Sequence, residues 1–289
     1  MNLKDISLEI NELLEKRRKE LELTFIEEEH IYYMKDVDGE VKKNFPSVSK
    51  IVKKFHKPFD AEGMALKMSN GDPEGARQLQ EQWKQAGELS TNMGSRVHFE
   101  LESELIGRFD NYKEVRQPIF TINEEQQIKS DNMIKAGKQF LDLMLERGGV
   151  LLDTEIVLGD PIEQYTGQPD KVWLMQNKEK DGFGFVITDW KTNQPKNFEV
   201  HHYTGRLYPP FNNYHDNALG HYYLQLPLYG RLLRKMLEGT KYQDTKLLGN
   251  VVVLLKDDAT FVEYKVPPQI NNTILQMDLS KYISRWSRK

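Results

Sequence analysis

The chain has 289 residues, 38% of them hydrophobic and 29% charged, with a net charge of −4 at pH 7 and no cysteine. This length allows one large α/β domain, or a core with a helical appendage. The lack of cysteine excludes disulfides, thiolate metal sites and cysteine-bound iron–sulfur clusters. No apolar stretch has the length of a membrane span and no signal-peptide pattern opens the chain, so we expect a cytoplasmic protein with no membrane partner.

The first half of the chain is predicted to be mainly helical. Residues 5–21 form an amphipathic helical pattern, and the runs 22–34 and 41–45 flank the turn Asp38-Gly39, which predicts a hairpin. Helical patterns then continue to about Arg147, the last of them from Glu124 to Glu146. We therefore assign residues 1–148 to an N-terminal hairpin and helical region.

Strand patterns dominate the second half, residues 149–289, which we assign to the core of the protein together with a C-terminal helix. The predicted strands span 150–158, 164–175, 183–188, 247–255 and 261–266. An apolar helix is predicted to begin near Gln225, with Pro227 in its first turn, and to end near Leu237. These elements predict an α/β (α+β) fold with a mixed central sheet flanked by helices.

Two short motifs carry carboxylates at the ends of neighbouring predicted strands: Gly167-Gln168-Pro169-Asp170 and Asp189-Trp190-Lys191. Antiparallel pairing of the strands brings Asp170 and Asp189 side by side, and two carboxylates on rigid backbone make a site for Mg²⁺ or Mn²⁺. Lys191 lies two residues after Asp189, so on a strand it points to the same face. The set suits phosphodiester hydrolysis, because a metal ion polarises the phosphate and an ammonium group stabilises developing negative charge.

The Asp-x-Lys tripeptide is a weak signal by itself. The chain also contains Asp244-Thr245-Lys246 and the looser matches Glu40-Val41-Lys42 and Glu263-Tyr264-Lys265. The alternative for Asp189 and Lys191 is a strand end with two solvated charges. Further polar residues in a fitting order favour the site.

One such group lies upstream, in a predicted helix from Thr91 to Ile106. His98 and Glu102 are four residues apart and therefore share a helix face. A neutral imidazole there can ligate the metal or hold a metal-bound water, while the carboxylate fixes its tautomer. The alternative is an ordinary contact between the two side chains at the surface. Glu155, on the strand before Gly167, is either a further ligand or an exposed acid.

A second group lies downstream. Gln225 and Tyr229 are one helical turn apart and can reach toward the strand ends or a nucleotide; alternatively, they mark only the start of a helix. The segment from His201 to Tyr223 is rich in His and Tyr among polar residues. Such rings either stack on the bases of a single strand or pack on the core as a lid loop.

Taken together, these residues resemble the PD-(D/E)xK nuclease superfamily in its RecB-type branch. That branch combines a Gly-x-x-x-His helix, a Gly-x-x-Asp strand, an Asp-x-Lys strand and a Gln-x-x-x-Tyr helix, and this chain has all four in order, from Gly94 to Tyr229. The stretches Glu29–Tyr33 and Phe45–Ser49 are similar to the lead-in of phage exonucleases and of the mitochondrial genome-maintenance exonuclease. Residues 207–216 also resemble an insertion that those phage enzymes carry.

The resemblance implies a restriction-endonuclease-like core and a Mg²⁺- or Mn²⁺-dependent DNA exonuclease that acts on single-stranded or duplex ends in phage replication, recombination or repair. A phage recombination or replication protein is an implied partner, and the host cytoplasm an implied location. The alternatives are a non-catalytic DNA-binding or replication-complex module and a structure-specific endonuclease. One or two metal ions are implied; their ligands would be Asp170, Asp189, the Trp190 carbonyl and His98, with Glu155 and Glu102 as further candidates.

The resemblance gives Lys191 the role of orienting or activating water, and Gln225 and Tyr229 that of positioning the nucleotide or Lys191. Since the net charge is negative, contacts to DNA must come from local patches. The alternative for each cation is a solvated helix face. The candidate DNA-binding residues are Lys50, Lys53, Lys54, Lys57, Arg231, Tyr203 and Tyr208.

Overall fold

A computed structural model describes residues 2–27, 29–109, 119–177, 182–198 and 205–283. The chain begins with a helix that packs on the central sheet through its apolar stripe of Ile6, Ile10 and Leu14. Asn2 caps this helix by accepting a hydrogen bond from the Lys4 N–H. The N-terminal elements are α1 (Leu3–Glu20), β1 (Thr24–Ile26), β2 (Ile31–Lys35), β3 (Val41–Lys43), α2 (Val48–Val52) and α3 (Ala61–Met68).

Two long helices follow, α4 (Pro73–Phe109) and α5 (Glu124–Glu146). The predicted helix around His98 is only the C-terminal part of α4, which is continuous from Pro73. The limits of α5 agree with the prediction, since a capping box between Asn123 and Gln126 starts it and a left-handed Gly148 follows its end.

The central sheet has five strands in the order β10-β9-β8-β7-β4, and β5 and β6 form a separate pair. Strands β8 and β9 are parallel and α7 connects them, whereas the other neighbours are antiparallel. The elements are β4 (Val150–Thr154), β5 (Leu158–Asp160), β6 (Tyr165–Gly167), β7 (Lys171–Gln176), β8 (Phe183–Lys191), α6 (Pro195–Phe198), α7 (Ala218–Met236), β9 (Lys246–Leu255), β10 (Phe261–Lys265) and α8 (Pro268–Gln276), with a final 3₁₀ turn at Leu279–Lys281.

This architecture confirms the predicted mixed central sheet flanked by helices, with an N-terminal hairpin and helical region. The predicted run 22–34 is divided into β1 and β2, and two runs of the second half are each divided as well. The run 150–158 breaks at Glu155, which has a left-handed φ of 49°, and the run 164–175 breaks before Asp170, where Pro169 has no N–H to donate to a ladder. Both interruptions lie at the candidate site.

The predicted start of the apolar helix near Gln225 was also wrong. α7 begins at Ala218, where Asn217 caps it by accepting from the Gly220 N–H, so Pro227 lies inside the helix and forgoes one backbone hydrogen bond. α2 ends at Val52, so Lys53 is its C-cap and Lys54 and Lys57 lie beyond it.

The interior joins both halves of the sequence. One buried cluster contains Ile6 and Leu14 together with Leu226 and Ile274, so residues on either side of position 148 share a core. A second cluster packs α4 and α5 on the opposite face of the sheet, around Trp173 and Trp190. Within the residues described, no helix combines the length and the apolarity needed to cross a membrane.

Candidate metal centre

Strand pairing brings the two predicted carboxylates together. Lys171 pairs with Thr188 in the antiparallel β7–β8 ladder, and the next position of the same register aligns Asp170 with Asp189. Both carboxylates are buried, with exposed fractions of 7% and 1%. Because burial of a charge is costly unless it is paired or ligated, this end of the ladder is built to hold positive charge.

Asp170 lies at the centre of the cluster. Its Oδ2 accepts a hydrogen bond from the Trp190 N–H at 2.8 Å and lies 3.4 Å from His98 Nδ1 on α4. A hydrogen bond also joins His98 to the Trp190 backbone. The ligand atoms of His98, Glu155 and Asp170 all lie within 4.8 Å of one another, a donor set of one imidazole and two carboxylates that fits a divalent cation.

Glu155 reaches this cluster through a strained backbone. Its φ of 49° is in the left-handed region, which a non-glycine residue adopts at a cost of about 1–3 kcal/mol. Three hydrogen bonds hold the turn: the Glu155 N–H and the Thr154 hydroxyl both donate to the Asp170 carbonyl, and the Gln168 side chain donates to the Glu155 carbonyl. The strain therefore places a third ionisable group beside Asp170.

The two aspartates are pushed to different protonation states. Burial, and then the charge of Asp170, raises the pKa of Asp189 to about 7. Burial also disfavours the charge on Asp170, but His98, Lys171 and Lys191 outweigh it and lower the pKa of Asp170 to about 2. Burial raises the pKa of Glu155 well above its usual value, and Asp170 adds to the effect. Excess negative charge of this kind is relieved when a cation binds.

Lys191 lies at the end of β8 and is held from two sides. Its Nζ forms an ion pair with Asp189 and lies 4.5 Å from the centre of the Tyr222 ring on α7. Tyr222 is held in turn by its hydrogen bond to Asn193, at 3.0 Å. Burial by itself would lower the pKa of Lys191, but Asp189 and Asp170 outweigh burial and raise it. The side chain is therefore a fixed cation rather than a base.

Lys171 is a site residue that sequence reasoning missed. It is 2% exposed, and its Nζ lies 4.0 Å from Asp170 Oδ2 and 4.0 Å from the centre of the Trp190 ring. Burial lowers its pKa, although Asp170 and Glu155 act in the opposite direction. A lysine that opens the apolar run Val172-Trp173-Leu174 was the available signal, because a lysine is almost never fully buried without a partner.

Tyr222 is the second residue that was missed. It lies on α7 at the same face as Gln225 and Tyr229, three and seven positions on, so helical spacing was its signal. The Gln225 amide donates to the Tyr229 hydroxyl at 2.6 Å, and Tyr229 packs against Gly167. A Cβ at Gly167 would lie 2.7 Å from the Tyr229 ring, so this motif glycine permits the close approach of α7 to β6.

The remaining candidates are placed as follows. Glu102 is near enough to raise the pKa of Glu155, but Glu102 and Asp189 are both outside the group of three close ligand atoms. The guanidinium of Arg231 pairs with Glu163 and donates to the carbonyls of Ile274 and Met277, so this residue joins α7 to α8 and we assign it no contact with DNA.

The other candidate DNA contacts lie on the surface. Tyr208 is 44% exposed. Tyr203 lies outside the described residues. The four lysines at and after α2 are all exposed: Lys50, Lys53, Lys54 and Lys57.

The competing acid-x-Lys matches lie elsewhere. Lys246 is exposed and pairs with Gly184, at the opposite end of β8 from Lys191. Glu263 forms a bidentate ion pair with Arg147, with nitrogen–oxygen distances of 2.8 and 2.9 Å. Glu40 pairs with Lys42 of the same tripeptide, on the hairpin. Only the Asp189 copy is buried beside a second carboxylate.

Comparison with known proteins gives no assignment: no model of a known protein family matches the chain, and no curated protein matches it either.

Proposed function

We propose that this protein is a metal-dependent deoxyribonuclease of the PD-(D/E)xK type that hydrolyses phosphodiester bonds from DNA ends, in replication, recombination or repair. The observation that carries the proposal is the convergence of Asp170, Asp189, Lys191, His98 and Glu155 at one end of the β7–β8 ladder. Three acids, a fixed cation and an imidazole in one cluster supply the groups that phosphate hydrolysis needs.

The donor set supports Mg²⁺ or Mn²⁺, since carboxylate oxygens dominate it and the imidazole suits the softer of the two ions. When bound, the metal would polarise a phosphate oxygen and lower the pKa of a coordinated water. Asp170 is ionised, and His98, whose pKa burial lowers, is neutral near pH 7, so both have free electron pairs for a cation. Asp189 would complete the carboxylate pair once it loses its proton.

Lys191 supports the reaction as a cation. Because its pKa is raised, its ammonium keeps all its protons and can donate to a phosphate oxygen as negative charge develops there. Asp189 and the Tyr222 ring fix its position, so little reorganisation is needed during the reaction. Lys171 lies behind Asp170 and offsets part of the acidic charge when no metal is present.

Surface features outside the cluster support a DNA substrate. The exposed lysines at and after α2 can contact phosphates without reading sequence. The α3–α4 pair adds a groove of about 980 Å³ that includes Phe59, Trp83 and Lys84 but no residue of the Asp170 cluster. Phe59 is exposed and its ring lies 6.0 Å from that of Trp83. Rings beside cations favour single strands, whose bases stack on them.

Cleavage is expected to depend on a free DNA end. Linear single-stranded DNA should be degraded in the presence of Mg²⁺ at rates that fall with rising salt, whereas closed circles of the same sequence should persist. The measurement is the release of nucleotides from end-labelled and internally labelled linear substrates beside the matching circle, with EDTA as the control.

Comparable rates on circular and linear strands would show an endonuclease with an open cleft. Salt-sensitive binding with no cleavage under Mg²⁺ or Mn²⁺ would instead make the protein a non-catalytic DNA-binding module. Both outcomes contradict the exonuclease proposal. Cleavage of the circle distinguishes the endonuclease from the non-catalytic module.

Metal binding is expected to weaken as the pH falls from 8 to 6. A free aspartate has a pKa near 4, so the raised pKa of Asp189 stabilises the metal-free fold below about pH 4, and that contribution is lost as the pH rises toward 7. Metal ligation requires the ionised carboxylate, so the stability that a bound metal adds increases as the pH rises. The rise in Tm caused by Mn²⁺ should therefore be larger at pH 8 than at pH 6; an equal rise at both pH values would exclude Asp189 as a ligand.

A further inference from the structure

A second group of metal-ligating side chains lies apart from the Asp170 cluster. The ligand atoms of His56, Asp216 and His221 all lie within 4.8 Å of one another, and no residue is common to the two groups. Two separate parts of the chain supply them, the residues after α2 and the segment around the start of α7. His56 follows α2, Asp216 ends the connection before α7, and His221 lies in the first turn of α7.

The contacts of the three donors hold their side chains together. His221 Nε2 lies 2.7 Å from Asp216 Oδ1, and the rings of His56 and His221 stack with their centres 4.0 Å apart. His56 Nδ1 lies 3.1 Å from the Lys57 carbonyl, and the Lys57 N–H donates to Asp216 Oδ2 at 3.3 Å. When Nδ1 donates to a carbonyl, Nε2 of the same ring carries the free electron pair, which is how metal-bound histidines are commonly oriented.

We propose that His56, Asp216 and His221 form a second cation site, which binds one Zn²⁺ or a similar transition-metal ion and fastens residues 205–217 to the segment after α2. Two imidazoles and one carboxylate form a set that zinc uses, whereas Mg²⁺ prefers oxygen ligands only. The site thus differs in chemistry from the carboxylate-rich cluster around Asp170, and its existence does not depend on the nuclease proposal.

The surrounding packing supports a fastening role. Phe211 packs edge-to-face on Phe55 with ring centres 5.1 Å apart, and the Tyr208 N–H donates to the Phe55 carbonyl at 2.6 Å. The connection before α7 therefore already contacts the residue next to His56. A metal ion would add a stronger link through His221. The next residue is Tyr222, whose ring faces Lys191.

The test uses the full chain with Asp170→Asn, which disables the first cluster. After removal of metals with EDTA, Zn²⁺ is titrated by calorimetry and Co²⁺ is used as a visible probe of tetrahedral nitrogen and oxygen ligation. We expect one Zn²⁺ to bind per chain. Co²⁺ in its place should give the visible absorption bands of a tetrahedral site. Adding His56→Ala or Asp216→Asn should reduce Zn²⁺ affinity by at least about 100-fold. Loss of a residue that only hydrogen-bonds to a ligand costs no more than about that factor, so a larger loss identifies a ligand.

His215→Ala is the matched control, since it removes a histidine from the same connection outside the group of three, and it should bind Zn²⁺ like its parent. Zn²⁺ should also slow proteolysis within residues 205–217 in the parent but not in Asp216→Asn, a conservative change expected to preserve the fold, which circular dichroism checks. Failure of the Asp170→Asn chain to bind Zn²⁺, or equal loss of binding in His215→Ala, overturns the proposal. DNA cleavage is not a readout, so the result is separate from the nuclease proposal.

Discussion

Replacing Asp189 with Asn is expected to abolish Mg²⁺-dependent cleavage of linear DNA without weakening the metal-free fold. Asn has nearly the same shape but no charge, so it removes half of the carboxylate pair that Asp170 and Asp189 form. Metal ions stabilise transition-state charge by several kcal/mol, so we expect a loss of roughly 1,000-fold or more in kcat. The measurement is single-turnover cleavage of an end-labelled strand.

Stability should change in the opposite direction to activity. Burial and the charge of Asp170 raise the pKa of Asp189, so its ionised form is disfavoured in the folded state. Asn resembles the protonated form, and the metal-free variant should have a Tm at pH 8 at least equal to that of the parent. Asp244→Asn is the control, because it changes the same tripeptide pattern at an exposed position. Parent-like turnover by Asp189→Asn would exclude the metal assignment.

Replacing Lys191 with Ala is expected to reduce cleavage by at least about 100-fold, the scale at which one positioned charge donor acts. The ammonium contacts Asp189 and the Tyr222 ring but is not itself a metal ligand. Mn²⁺ should therefore still raise the Tm of the variant. This combination, lost turnover with retained metal binding, distinguishes Lys191 from the two aspartates.

Lys191→Arg tests whether any positive charge is enough. A planar guanidinium can pair with Asp189 and stack on Tyr222, so the fold should tolerate it, but its donors cannot occupy the place of the compact ammonium. We expect activity to stay far below that of the parent. Lys246→Ala, at the opposite end of the β8–β9 ladder, should cleave at the parental rate. Full activity of Lys191→Arg would reduce Lys191 to a general source of charge.

Much of the architecture could be predicted because local signals agreed with it. Helix α5 has a capping box at one end and a glycine at the other, and the strands β8 and β9 are largely apolar runs. The limits that were wrong lie where tertiary contacts override local preference. Glu155 keeps a strained φ because hydrogen bonds to Asp170 and Gln168 hold it, and α7 tolerates Pro227 because most of the helix is buried around it.

The sequence by itself determined which residues are able to do chemistry and in what order they occur. The period-two spacing of Asp189 and Lys191 on one strand and the four-residue spacing of Gln225 and Tyr229 on one helix are local properties, so they follow from the residues alone. The same local rules could not separate Asp189 from Asp244, since both stand two residues before a lysine. Strand pairing in the sheet distinguishes them, because it places only Asp189 beside Asp170.

Only the tertiary structure decided burial and partnership. The β7–β8 register places Asp189 beside Asp170, and the approach of α4 brings His98 within 3.4 Å of the same carboxylate. Lys171 acquires its role from the Trp190 ring and the acids around it, which only folding brings close to its side chain. Charge, protonation and metal affinity depend on distances between residues far apart in the chain, and those distances exist only after folding.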